Sequence, residues 1–220
     1  MASSSSSSLY NIRTVCVFAG ATLGKDVCFQ KAADNLGEVL AAQKTHIVYG
    51  GGNKGLKGRV AAAASLGVSK ILGVIMKAFA DSPLVGPTYG NEFRVLTMPD
   101  RIMSMGDNAD AFIVLPGGLD ILEDLFQMLS WAQMNIHQKP VGILNVDGFF
   151  DGLLAFLDSL VDKGFLSPLS RRLLLCATTP QDLIEKFLAY TPEPDPTVVH
   201  IIRTDASTSR KRALDLVLSL

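Results

Sequence analysis

The sequence predicts a doubly wound α/β domain, a mostly parallel sheet with helices on both faces. Three observations carry the prediction. Short apolar runs alternate with segments of helical spacing along residues 13–190, which is the pattern of βαβ units. Runs such as Ala111-Phe112-Ile113-Val114-Leu115 are apolar throughout, as a strand covered on both faces requires. Two Gly-rich loops each follow a strand-like run and open a helix-like one, at Gly50-Gly51-Gly52 and Gly117-Gly118. Such a fold is Rossmann-like, and it holds ligands beyond the carboxyl ends of its strands.

Taken in order, Arg13 to Phe18 is a buried strand and Gly20 to Gly24 a turn. Lys25 to Ala42 has helical spacing through Cys28, Ala32, Leu36, Val39 and Leu40. His46 to Tyr49 is a second strand ending in three glycines, followed by a helix over Leu56 to Leu66. Strands at Ile71–Ile75 and Phe93–Leu96 precede a helix over Pro99–Asn108. The strand Ala111–Leu115 and the helix Ile121–Met134 follow, then the strand Pro140–Asn145 and the helix Phe149–Lys163. Leu173–Ala177 and Pro180–Ala189 read as a last strand and helix. Residues 1–12 are Ser-rich at their start and are expected to be disordered, lacking the basic and apolar regions of a secretory signal. Residues 191–220 form a C-terminal extension. It opens on the Pro-rich Thr191–Pro196, with an edge strand expected over Thr197–Arg203 and a helix over Ser207–Leu220.

Composition narrows the classes of function. The chain has 220 residues, with 48% hydrophobic and 19% charged, enough for one packed domain. A net charge of -1 gives no field that favours nucleic acid or a membrane surface. No apolar run reaches the length of a membrane span. Cys16, Cys28 and Cys176 have neither metal-ligand spacing nor the even count of a disulfide framework. A reduced compartment is expected, the cytoplasm and also the nucleus.

The first loop, Tyr49-Gly50-Gly51-Gly52-Asn53-Lys54-Gly55-Leu56-Lys57-Gly58, opens a helix. Its glycines are expected to let backbone amides face an anion, aided by the helix N-terminus. No Lys-Ser/Thr pair ends it, so it is not a Walker loop. The second loop is Pro116-Gly117-Gly118-Leu119-Asp120. Either loop alone is equally well a tight turn. Two at strand ends of one sheet favour a phosphate-bearing ligand.

The combination is more specific. GGGNKGLKG at Gly50–Gly58 is similar to GGGxxGLMG, and MPDRIMSM at Met98–Met105 resembles MxxRKxxM. PGGLDILED at Pro116–Asp124 resembles PGGxGTxxE. Trp131-Ala132-Gln133 and HQKPVGILNVDG at His137–Gly148 follow the same wording. Over about Val15 to Phe187 the sequence thus resembles the Lonely Guy family, plant-style cytokinin-nucleotide phosphoribohydrolases often misnamed lysine decarboxylases. The resemblance implies hydrolysis of the N-glycosidic bond of a cytokinin riboside 5′-monophosphate, giving the free base and ribose 5-phosphate. It implies a small-molecule nucleotide substrate, no metal and no organic cofactor, and a homodimer.

Carried over by position, Arg101 and Asp124 are the expected catalytic pair. Glycoside cleavage passes through an oxocarbenium-like centre that a carboxylate stabilises, or for which it activates water. An arginine offers its planar fork to substrate oxygens. Gly20, Gly50, Gly51, Gly52, Gly55, Gly117, Gly118, Asp120 and Ile121 are the expected substrate and phosphate contacts. Several positions depart from the pattern. Asp124 stands for Glu and is one methylene shorter. Asp120 and Ile121 stand for Gly and Thr, Ile102 for Lys, and Lys57 for Met. Asp120 is expected either to repel phosphate or to act as the helix N-cap. Lys54 and Lys57 either restore positive charge to the site or are solvated. Weakened hydrolysis, a nucleotide-binding or scaffolding role without hydrolysis, and a shifted preference for substrates without phosphate all remain open on the sequence.

Overall fold

A computed structural model describes residues 11–67 and 69–193. Seven strands form one sheet: β1 Thr14–Phe18, β2 His46–Tyr49, β3 Ile71–Met76, β4 Asn91–Val95, β5 Ala111–Val114, β6 Val141–Leu144 and β7 Leu174–Ala177. Their order is β4-β3-β2-β1-β5-β6-β7, and every pairing is parallel. The helices are α1 Val27–Ala42, α2 Gly55–Ser65, α3 Lys77–Ala80, α4 Met98–Asp107, α5 Leu119–Gln133, α6 Asp151–Asp162, α7 Pro168–Arg171 and α8 Pro180–Leu188.

Alternation along the central strands divides the core into two layers. Val15 and Val17 of β1, with Ala111 and Ile113 of β5, pack against Leu36 and Leu40 of α1, Leu56 and Val60 of α2, and Leu183 and Phe187 of α8. Cys16 and Phe18, with Phe112 and Val114, face the other way toward Met105 of α4, Leu125 and Met128 of α5, and Leu157 of α6. The rings of Phe18 and Phe112 stack at 6.1 Å. Helices therefore cover both faces of a doubly wound sheet, the arrangement that the uninterrupted apolar strands predict. From β1 the chain proceeds outward through β2, β3 and β4, then returns to β5 on the other side. The carboxyl ends of β1 and β5 flank the crevice where such sheets bind ligands.

Some boundaries differ from the sequence expectation. Helix α5 begins at Leu119, two residues before Ile121, because Gly118 rather than Asp120 is its N-cap. Strand β4 starts at Asn91, its residues 91–94 exposed along the sheet edge, so no apolar run marks it. Helix α6 starts at Asp151, after a short 3₁₀ turn over Val146–Gly148 in which Asp147 has φ 51. The four-residue helices α3 and α7 are additions, too short to show a period. The strand expected over Thr197–Arg203 and the helix expected over Ser207–Leu220 lie outside the described residues.

Candidate functional site

Three loops meet at the carboxyl edge, held together by Gly20. Its amide donates to Pro116 O at 3.0 Å, and its carbonyl accepts from Leu56 N at 2.9 Å and Lys57 N at 3.4 Å. The turn after β1 thereby ties the start of α2 to the loop after β5. A side chain on Gly20 would crowd Pro116 O and Gly117 Cα at 3.1 and 3.2 Å.

Two amides of the first glycine loop, those of Gly52 and Asn53, are used internally rather than turned to an anion. Gly52 N donates to Thr88 Oγ1 at 3.1 Å, and Asn53 N donates to Val85 O at 3.1 Å. The Leu56 and Lys57 amides in the first turn of α2 are taken by Gly20 O and by Thr22 O, the latter at 3.2 Å from Leu56 N. Beneath the loop, the Tyr49 hydroxyl donates to Gly52 O at 2.9 Å and accepts from Tyr89 N at 2.8 Å. Burial pushes this phenol up to about 12, so it stays a neutral strut. Gly51, Gly52 and Gly55 have φ of 69°, 75° and 66°, the left-handed region that suits glycine. These backbone conformations set the path of the loop. The sequence carries no signal for the strap formed by Val85, Thr88 and Tyr89.

The second loop leaves its helix open. Gly118 is the N-cap of α5, and no side chain caps it. Asp120 lies in the first helical turn and is exposed, so it is not the N-cap. An N-terminus of this kind attracts anions through its partial positive charge, and Asp120 supplies one from the protein itself. The side chain of Ile121, expected as a substrate contact, points into the core instead. It is 5% exposed, in the core layer with Leu125 and Met128, and fills the space that a Cβ on Gly117 would need.

Arg101 and Asp124 do come together. Arg101 is four residues before the buried Met105 on α4 and shares its face. Thr97 caps that helix by accepting from Asp100 N at 3.2 Å, with Pro99 in the first turn. Asp124 lies between Ile121 and Met128 on the buried face of α5. Arg101 Nη1 and Asp124 Oδ2 are 3.6 Å apart, with side chains only 15% and 8% exposed. Asp124 is therefore buried rather than a solvated carboxylate of the helix surface. Nor is Arg101 paired with Glu92 or Asp100. Glu92 bonds Arg94 at 2.8 Å and Asp100 bonds Thr97 at 2.6 Å. Glu123 is exposed, turned off the α5 face that carries Asp124.

Electrostatics mark the same spot. Burial pushes the Asp124 carboxyl up to about 6, Arg101 pulls against this, and Glu123 and Asp120 add to it. Lys57 reaches in from α2, with Nζ 3.5 Å from Gly50 O, whereas Lys54 is exposed. Burial holds the Lys57 ammonium below its ordinary value and Arg101 pushes it the same way, while Asp120 and Asp124 oppose. Below them lies Cys16, fully buried, its thiol raised first by burial and then by Asp124.

The neighbouring motif residues are structural. Met105 is buried, Met98 is exposed, and Ile102 packs on the core. His137 lies beyond the end of α5, with Nε2 3.0 Å from Met128 O and Nδ1 accepting from Lys139 N at 3.1 Å. Burial takes its ring down to about 4, consistent with a neutral packing role. Among the described residues, no group of three or more His, Cys, Asp or Glu side chains could hold a metal. Among them too, no helix is long and apolar enough to cross a membrane.

Comparison with known proteins gives these positions a context. Residues 58–187 match the family described as "Possible lysine decarboxylase". The chain is 44% identical over 186 residues to the probable cytokinin riboside 5′-monophosphate phosphoribohydrolase LOGL6 of Oryza sativa subsp. japonica, covering 84% of this chain and 74% of that one. It is 43% identical over 183 residues to the cytokinin riboside 5′-monophosphate phosphoribohydrolase LOG7 of Arabidopsis thaliana, covering 83% and 84%. Among solved structures, the molybdenum cofactor binding protein of Rippkaea orientalis superposes with a TM-score of 0.59 at 21% identity, covering 80% of this chain and 94% of that one. At that identity the likeness concerns the fold alone.

Proposed function

The chain belongs to the Lonely Guy family of cytokinin riboside 5′-monophosphate phosphoribohydrolases, and on that footing we propose that it hydrolyses the N-glycosidic bond of such nucleotides, releasing free cytokinin base and ribose 5-phosphate. The single observation that carries this reading is the buried Arg101–Asp124 pair at 3.6 Å, set at the sheet edge between two glycine loops. Water adds at the anomeric carbon while the base departs with the electrons of the carbon–nitrogen bond and takes up a proton. The Asp124 carboxylate stabilises the positive charge that develops on the sugar and accepts the proton of the attacking water. At neutral pH a carboxyl of pKa about 6 is mostly ionised yet still a competent base. Arg101 orients Asp124 and offers its remaining donors to substrate oxygens. The N-terminus of α5, capped by no side chain, receives the phosphate. None of these steps calls for a metal or an organic cofactor.

The protein acts as a homodimer in this reading. Phe93, Leu96, Met98, Met103 and Phe126 are exposed on and around β4, α4 and α5, an apolar set that a second copy would cover. Light scattering at micromolar concentration should return twice the chain mass; a monomer mass removes the dimer from the proposal. A cytoplasmic location is proposed from composition and the free cysteines.

The decisive assay incubates the protein with isopentenyladenosine 5′-monophosphate, its riboside and AMP, and measures the base released. Release from the cytokinin nucleotide, lost in Arg101→Ala, supports the proposal. No release from any of the three leaves a nucleotide-binding protein without hydrolysis.

A further inference from the structure

We propose that Lys57 is a phosphate-binding cation of this cleft, and that it offsets the charge of Asp120. The proposal rests on the nucleotide reading above and adds a specificity-determining residue to it. In the motifs that this sequence resembles, position 57 is Met and position 120 is Gly. This chain carries a cation at one of these positions and an anion at the other, on two different helices at the mouth of one crevice.

The main chain fixes where Lys57 points. Its amide is held by Gly20 O, which sets the first turn of α2 against the turn after β1. The side chain is half-buried, and Nζ approaches Gly50 O at 3.5 Å. A Cβ placed on Gly50 would stand 3.5 Å from Arg101 Cζ and 3.8 Å from Lys57 Nζ. The two cations therefore flank the same glycine. Two adjacent positive groups repel, and desolvation adds to the penalty. Asp120 and Asp124 are the groups that offset both effects at Lys57.

A lysine of long reach with three donors, stationed beside a second cation, is disposed toward an anion. Asp124 is committed to Arg101, and Asp120 is exposed in the first turn of α5, where an incoming phosphate would meet its carboxylate. Without Lys57 the cleft would set Arg101 against two carboxylates. With it the charges balance, and the field of the α5 N-terminus remains to draw the phosphate in. Lys54, three residues earlier, is exposed and serves as the contrast.

The test is a set of four proteins: wild type, Lys57→Met, Asp120→Gly and the double variant. The probe is ribose 5-phosphate, measured by calorimetry, so the outcome does not depend on turnover. Lys57→Met should weaken binding roughly 10- to 100-fold, the worth of one charge-assisted hydrogen bond. Asp120→Gly should tighten it, and the double variant should return to within about threefold of wild type. Lys57→Arg should retain most of the affinity. Lys54→Met should change little. Thermal melts report whether each variant is folded. A second readout compares AMP with adenosine as substrates, where the lysine effect should fall on KM for the phosphate-bearing one. The proposal is overturned if wild type does not bind ribose 5-phosphate. It is equally overturned if Lys57→Met leaves the affinity within twofold, or if Lys57→Arg fails as badly as Lys57→Met in a folded protein. Absence of base release would sink the hydrolase reading while the calorimetric series still decided the role of Lys57.

Discussion

Gly50→Ala separates folding from chemistry. Gly50 has no positive φ, so an alanine fits the backbone there. Its Cβ, however, would fall well inside contact distance of Arg101 Nη2, while the next atoms, Arg101 Cζ and Lys57 Nζ, stand at 3.5 and 3.8 Å. Restoring an ordinary contact moves the guanidinium by roughly 1 Å. The obstacle is the far end of a flexible side chain, so the loss of stability should be below about 1 kcal/mol and the melting shift no more than roughly 2–4 °C. A misplacement of about 1 Å in a catalytic constellation lowers the rate about a hundredfold. Base release from the cytokinin nucleotide should therefore fall roughly 10- to 100-fold in a protein that melts almost as wild type does. Unchanged kcat/KM in Gly50→Ala would show that the Arg101 guanidinium need not stay where it is, and the pairing argument would fail.

Other substitutions in the same loop should behave differently. In Gly52→Ala the backbone has φ 75° and the new Cβ would strike Val85 O, so stability should drop by about 1–3 kcal/mol, seen as a lower Tm; an unaltered melt would argue against the Val85–Thr88 strap as a rigid support. Base release should rise with pH through about 6, the Asp124 value, and then level off. The same limb should appear with the riboside, which lacks the phosphate ionisation near 6; a limb near 4 would mean that Asp124 is not the ionising group. The raised carboxyl also contributes to stability with a defined sign. Between its ordinary 3.8 and about 6 the folded state holds a proton that the unfolded state releases, so the contribution is complete below the lower value and is lost as pH rises through the upper one. Asp124→Asn, which keeps the neutral form, should gain stability relative to wild type over that range, by chemical denaturation on the order of 2–3 kcal/mol; parallel pH curves for the two proteins would refute this.

The two-sided core was legible because burial on both faces leaves strands such as β5 and β6 without a polar position. The start of α5 was not, since Leu119 and Asp120 look like loop residues until the geometry of Gly118 is known. Helix α7 had a legible signal, Ser167 accepting from Ser170 N with Pro168 next to it, but four residues are too few to register as a period. The meeting of Arg101 with Asp124 was implied by motif wording alone; the spacing along α4 and α5 explains it only once the buried faces are known. The closed state of the α2 N-terminus could not be read from sequence. It depends on carbonyls of Gly20 and Thr22, about 35 residues upstream, and main-chain acceptors are the same in every residue type. Lys57 was undecidable for a related reason. A lysine in a first helical turn points to solvent or to a cleft according to what stands beside it.

The Gly20 junction has a consequence for how this cleft varies between sequences. Its bonds to Pro116, Leu56 and Lys57 run from main chain to main chain, so no exchange of the side chains at 57 or 120 removes them. The scaffold of the three loops and the charges mounted on it are thus separately heritable. A library randomised at positions 57 and 120 should yield mostly folded proteins whose anion preference spans both signs. Chains drifting at these two sites can explore new substrates without first rebuilding the walls of the crevice.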